Sequence, residues 1–382
     1  MNVLLSLLQK SPDYMQLLQA VEAKQAAAVS GLSQAPRSHV LAALHEHSGR
    51  PLVAVCQDDL AASRLASELG AFLGEQPPVL PSRELTLAGA IGVSRQWEQK
   101  RLRLLYALAQ GQVPVLVTSL DALLLRTMPR EVLFSASVRL RCGAEYNVDD
   151  LVARLTRAGY TRSSLVEGVG QFALRGGILD VYSPACENPL RAEFFGDELD
   201  TMGYFDPITQ RRTENVEEAV LLPVAETEAH LHPQGTAGLC EDLRAIIARQ
   251  QRRKTPNQAL IDTLQKDCEA LENETLFASA DRYMALIYPE FTTAAAYLSQ
   301  EAVVAFCDHG NLQRAEKEKA EEFGLLLDSF LTSGTLFGEL CDYYGSIEDL
   351  AAQLRGRAVV YCDGFLAARY PESLPPKKLL SF

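Results

Sequence analysis

Lysine is missing from the middle of this 382-residue chain: between Arg101 and Arg253 every basic residue is an arginine. Positive charge is scarce overall, with 36 Lys and Arg against 49 Asp and Glu, a formal net of -13. Gripping a polyphosphate backbone needs clustered cations, so this balance excludes a protein that coats nucleic acid with its whole surface and leaves only local basic patches. Paired cysteines are missing too. The eight cysteines, at positions 56, 142, 186, 240, 268, 307, 341 and 362, include no C-x-x-C, which excludes a zinc or dithiol framework and leaves reduced, mostly buried thiols. No apolar run approaches the ~20 residues of a membrane-spanning helix, and the start, MNVLLSLLQKSPDYMQLLQA, has no basic segment before its apolar positions. A cytoplasmic chain without membrane contact is expected. His45-Glu46-His47 and His230-Leu231-His232 have the wrong spacing for helical metal ligation, and no G-x-S-x-G element occurs, so no metal ligand and no catalytic residue is assigned.

What is present is apolar content: 47% hydrophobic residues in a chain too long for one small domain, which points to two or three packed units. Leu4 to Leu18 has helical spacing broken at Ser11-Pro12. Ala26 to Gly31, Pro51 to Cys56 and Val113 to Thr118 read as strands. Ser38 to Glu46, Asp58 to Leu73 and Trp97 to Gln110 read as helices, the second with Leu60, Leu65, Leu69 and Leu73 on one stripe. Strands that are apolar throughout and alternate with helices predict a parallel sheet covered on both faces. From about Val138 to Pro223 the pattern changes. After a helical stretch at Val148 to Gly159, short extended runs at Phe172–Tyr182, Leu190–Phe195 and Leu199–Phe205 are cut by Gly176-Gly177 and Gly196-Asp197-Glu198, as in a hairpin-rich insert. Helices return from about Ala225, with strands at Ala302–Cys307 and Ala358–Cys362. The expected division is residues 1–134 and 223–374 as two segments of one α/β domain, 135–222 as an α+β insert, and 375–382 as a linker.

Two motifs concern nucleotide chemistry. Ser30-Gly31-Leu32-Ser33-Gln34-Ala35-Pro36-Arg37-Ser38 lies where the first strand turns into a helix, the position of G-x-x-x-x-G-K-[ST] in a nucleoside triphosphatase. Gly31 and Ser38 keep their places, but the second glycine is Pro36, which lacks an N–H donor, and the lysine is Arg37, longer and planar. The pattern fits a phosphate loop that has lost its ligand; an ordinary strand-to-helix turn fits these residues equally well. Val303 to Cys307 followed by Asp308 has the layout of a magnesium-holding strand end, but His309 stands where an ATPase usually places a glutamate. A third feature lies in the insert. Alternation puts Leu190, Ala192 and Phe194 on one strand face and Arg191, Glu193 and Phe195 on the other. An aromatic beside Arg is the composition of an interface anchor, with Arg175 next to Gly176-Gly177 in the preceding run. A two-sided strand with Phe195 tucked against a neighbour is the alternative. The all-arginine stretch suits bidentate pairing at protein interfaces, and lineage bias in codon use accounts for it equally well.

The ordered blocks Gly170-Gln-Phe-Ala-Leu-Arg-Gly-Gly-Ile-Leu-Asp-Val-Tyr-Ser-Pro, Pro189-Leu-Arg-Ala-Glu-Phe-Phe-Gly-Asp-Glu-Leu-Asp, Phe205-Asp-Pro-Ile-Thr-Gln-Arg and Leu221-Leu-Pro-Val-Ala-Glu resemble the module shared by the excinuclease component UvrB and the transcription-repair coupling factor family (Mfd). Two departures from the UvrB pattern favour the coupling factor: the broken loop Gly31-x4-Pro36-Arg37-Ser38, and the lack of a tyrosine-rich hairpin at Leu87 to Gln110, where Tyr106 is the one tyrosine. The resemblance implies a RecA/helicase-like parallel-sheet domain in two chain segments around an insert that docks UvrA, with Arg175, Arg191 and Phe195 matching the family's contact positions. It implies a non-catalytic module that binds no cofactor at Gly31, Pro36, Arg37, Ser38, Asp308 and His309. ATP and Mg would serve a translocase further along a full-length protein, as would contacts with RNA polymerase and double-stranded DNA. A UvrB-like ATP-dependent enzyme that processes damaged DNA is the alternative.

Overall fold

The computed structural model describes residues 3–88, 96–273, 277, 280–367 and 369–382. In chain order the strands are β1 Ala26–Ser30, β2 Leu52–Cys56, β3 Val79–Leu80, β4 Val115–Ser119, β5 Val138–Arg141, β6 Thr161–Arg162, β7 Gln171–Arg175, β8 Ile178–Val181, β9 Leu190–Phe195, β10 Glu198–Phe205, β11 Arg212–Asn215, β12 Glu218–Leu221, β13 Val303–Cys307, β14 Ala358–Cys362 and β15 Lys378–Ser381. The largest sheet has the order β15-β1-β14-β13-β2-β4-β3, and every pairing in it is parallel. It takes strands from both ends of the chain, so neither segment can complete the sheet without the other.

The unbroken apolar strands are explained by two cores, one on each face. Ala27, Val29, Leu52, Ala54, Val303, Ala305, Ala358 and Val360 point to the side covered by the helices Pro12–Glu22, Gln34–Ser48 and Asp59–Leu73. Their neighbours Ala26, Ala28, Val53, Val55, Val304, Phe306, Val359 and Tyr361 face the helices Gln96–Ala109, Gly235–Gln251 and Gln258–Glu272. A strand buried on both faces has no polar alternation to show.

Three expectations need correction. The helix read from Ser38 begins at Gln34, four residues earlier, because Ala35 to Arg37 form its first turn. Leu60 is 62% exposed and leaves the stripe completed by Leu65 and Leu69, since five residues separate it from Leu65 rather than three or four. Residues 375–382 hold strand β15, which pairs with β1 from Ala27↔Lys378 to Ser30↔Ser381 and buries Leu380. Of the stretch compared with a hairpin, Gln96–Ala109 is helix, and residues 89–95 lie outside the described residues.

The insert has its own core. A sheet of order β11-β10-β9-β8-β7-β6, antiparallel except for the β6–β7 pair, packs Phe172, Leu179, Val181, Leu190, Ala192, Leu199 and Met202 against Leu151 and Leu155 of the helix Val148–Arg157. A two-stranded sheet, β12-β5, contributes Val138, Leu140, Ala219 and Leu221 to the same cluster.

Candidate functional site

The Gly31–Ser38 segment and the Asp308-His309 motif come together at one end of the parallel sheet. Only Gly31, Leu32 and Ser33 separate β1 from the helix Gln34–Ser48, so Pro36, Arg37 and Ser38 are helical and form no open loop. Gly31 has φ +85°, and a Cβ built there would clash with the Phe382 carbonyl oxygen. The Gly31 N–H donates to the Gly364 carbonyl and the Leu32 N–H to the Asp363 carbonyl, both at 3.1 Å. Two donors that a phosphate nest would offer are therefore already satisfied. Arg37 folds back, its Nη2 donating to the Leu32 carbonyl at 3.2 Å, and the buried Ser38 hydroxyl donates to the Ala35 carbonyl at 3.0 Å.

Asp308 sits in the left-handed region (φ +66°), and its carboxylate accepts from the Asn311 amide at 2.9 Å. His309 is fully buried between Phe306, Tyr361 and Tyr370, with no hydrogen-bond partner for either ring nitrogen. Burial lowers its pKa from 6.5 to about 4, so the ring is neutral. Its backbone N–H donates to Asp363 Oδ1 at 2.7 Å, and Tyr370 Oη donates to Asp363 Oδ2 at 2.8 Å. Asp363 thus links both motifs, although no sequence pattern marked it beyond its place after an apolar strand.

The insert's polar face is built on a hairpin pair. The Gly176-Gly177 turn joins β7 to β8, and a Cβ at Gly177 would meet the Phe194 carbonyl oxygen at 2.6 Å, so close backbone approach requires glycine there. Register places Asp180 opposite Arg191, and Ile178 opposite Glu193. Asp180 is fully buried, and its carboxylate holds both candidate arginines: Arg175 Nη2 at 2.6 Å, and Arg191 Nε at 2.7 Å and Nη2 at 2.9 Å. This bidentate pairing is the geometry that arginine supplies and lysine does not. The Asp180 hydrogen bond, opposed by partial burial, raises the Arg191 pKa above its ordinary value. The Arg191 guanidinium also lies 4.5 Å from the Phe205 ring centroid. Phe195, at the end of β9, is 85% exposed and is not tucked against a neighbour. Arg175, Arg191 and Phe195 therefore share one face, and a buried acid fixes the two cations.

Asp180 escaped the sequence reading as a site residue. Its signal was available, since an acid inside an apolar strand on the face that carries Arg191 demands a cation. A second buried ion pair was less visible. Arg101 and Glu226 are both fully buried with Nε···Oε1 at 2.7 Å, and they bridge the helix Gln96–Ala109 to the chain just after β12. Among the described residues no group of three or more His, Cys, Asp or Glu side chains could hold a metal ion, and no helix is long and apolar enough to cross a membrane.

Residues 138–226 match the UvrB interaction domain family. A transcription-repair-coupling factor of Myxococcus xanthus is 38% identical over 221 residues, 56% of this chain and 18% of that protein. One from Staphylococcus aureus strain USA300 is 26% identical over 94% of this chain and 31% of its own length, and one from Bacillus subtilis strain 168 is 23% identical over 100% of this chain and 32% of its own. The chain thus spans about a third or less of the curated relatives it matches. The insert is thus similar to the UvrB interaction domain, and the chain, parallel-sheet domain included, is similar along its length to transcription-repair-coupling factors.

Proposed function

We propose that this chain is the non-catalytic amino-terminal module of a transcription-repair coupling factor and that it recruits UvrA through Arg175, Arg191 and Phe195. One observation carries the reading: in the segment matching the UvrB interaction domain, buried Asp180 fixes two arginines beside an aromatic ring left 85% exposed. A fixed cation pair beside an unburied ring has the composition of an interface hot spot, where truncation costs about 2 kcal/mol or more. The docking unit is residues 135–222, between motor-like segments 1–134 and 223–374.

In calorimetric titration with UvrA, Arg191→Ala and Phe195→Ala are each expected to weaken binding at least tenfold. Variants that fold and bind like the parent would refute the assignment.

The nucleotide-type end of the sheet serves as scaffold, a reading supported by the Gly31 and Leu32 N–H groups being bonded within the chain. In the full-length protein an ATP- and Mg-dependent DNA translocase would act on double-stranded DNA and stalled RNA polymerase through further domains. The module's place is then transcription-coupled nucleotide excision repair in the cytoplasm.

A further inference from the structure

The turn between β10 and β11, which Arg191 touches through Gln210, carries another strongly exposed apolar side chain, Ile208. Asp206 organises this turn: its Oδ1 accepts the N–H groups of Ile208 at 2.9 Å and Thr209 at 2.7 Å, while its carbonyl accepts the Gln210 N–H at 2.8 Å. Gln210 takes the left-handed conformation (φ +60°), and its Nε2 donates to the Pro207 carbonyl at 2.7 Å. The turn is thus held by its own hydrogen bonds, without burial of Ile208, which is 90% exposed. A branched apolar side chain fixed in water by a polar turn contributes nothing to the core of this module.

Arg191 ties the turn to the docking face. Its Nη1 donates to the Gln210 carbonyl and its Nη2 to Gln210 Oε1, both at 3.4 Å, while the same guanidinium is held by Asp180. Phe195 lies four residues further along β9, about 13 Å away at roughly 3.3 Å per strand residue. Exposed Phe195 and the turn carrying exposed Ile208 thus flank Arg191, and Ile178, 37% exposed, lies on the same face opposite Glu193. Between them, Arg175 and Arg191 share the single carboxylate of Asp180 and Arg212 is matched by Glu193 at 2.8 Å, while Arg175, held by Asp180 through Nη2, stays half-exposed and open to a partner's carboxylate.

We infer that the docking face extends to Ile208, and that its occupant is a protein surface with a carboxylate opposite Arg175 between two apolar sockets, one for Phe195 and one for Ile208. This rests on the UvrA-docking reading and adds a third anchor to it. Such a surface is complementary to the face in charge and in apolar contact, and the exposed Ile208 gains burial only when the partner seats.

UvrA is the probe, titrated calorimetrically against the parent chain, Ile208→Ser, Ile208→Leu, Phe195→Ala and Leu325→Ser, the last an exposed leucine on the helix His309–Thr332. The expected result is at least a tenfold loss for Ile208→Ser, recovery to within threefold for Ile208→Leu, and no change for Leu325→Ser. Parent-like binding by Ile208→Ser while Phe195→Ala loses affinity overturns the extension and leaves the docking reading standing. Equal losses for Ile208→Ser and Leu325→Ser overturn it as well. No binding by the parent overturns both.

Discussion

His309 is buried with both ring nitrogens unpartnered, so protonating it inside the fold is unfavourable while the unfolded chain binds that proton freely. A pKa lowered from 6.5 to about 4 makes the unfolded state the better proton binder between those values. Above pH 6.5 the ring is neutral in both states and has no pH effect; as pH falls from 6.5 towards 4 stability drops, by on the order of 3 kcal/mol for a shift of this size. His309→Leu should flatten that part of the profile, so that denaturant midpoints at pH 7.5 and pH 5 differ less in the variant than in the parent. An unchanged pH 5 to 7.5 difference would show that other groups set the acid sensitivity. At the same scale, alternation made the Arg191 and Phe195 face legible, because period two is a local property of the chain. Asp180 as the shared partner of Arg175 and Arg191 was not legible, because pairing across three strands depends on register.

Most elements follow from local apolar pattern, and β1, β2, β4, β13 and β14 of the large sheet fall within two residues of their sequence limits, whereas the two-residue β3 was not read as a strand. What local pattern missed were features set by other parts of the chain. Strand β15 forms because β1 leaves a free edge, and a four-residue run after Pro375-Pro376 carries too little periodicity to show this. The helix Gln96–Ala109 is tied to residue 226 by the Arg101–Glu226 pair, reinforced by Thr127 Oγ1 donating to Glu226 and by Glu98 Oε1 accepting the Glu226 N–H at 2.9 Å. Removing one member of such a pair leaves an uncompensated buried charge, a loss of about 3–5 kcal/mol. Arg101→Met should therefore lower the urea midpoint markedly at unchanged m-value. The double variant Arg101→Met/Glu226→Leu should recover part of the loss, because two apolar groups bury no unpaired charge. A single variant within about 1 kcal/mol of the parent would mean that the pair contributes little to the fold.

For the molecule as a whole, the two chain segments enclose one sheet, and the end of that sheet where a motor would hold nucleotide is closed by its own contacts. The Asp363 and Gly364 carbonyls occupy the loop donors, and the Phe382 carbonyl lies where a Cβ at Gly31 would reach. Titration of ATP with magnesium into the chain is accordingly expected to give no binding heat at concentrations up to the millimolar range. Measurable affinity that is lost on changing Arg37 or Asp308 would instead support the UvrB-like enzyme. The sequence by itself determined the fold class, the place of the insert and the residues of its polar face, because hydrophobic period, glycine turns and strand alternation are short-range physics carried by neighbouring residues. Only the tertiary structure decided that Asp180 clamps both arginines, that Asp363 joins two distant motifs, that Arg101 pairs with Glu226 and that the end of the chain completes the sheet. Those are meetings between residues from five to several hundred positions apart, and their geometry exists only once register, packing and strand order are set.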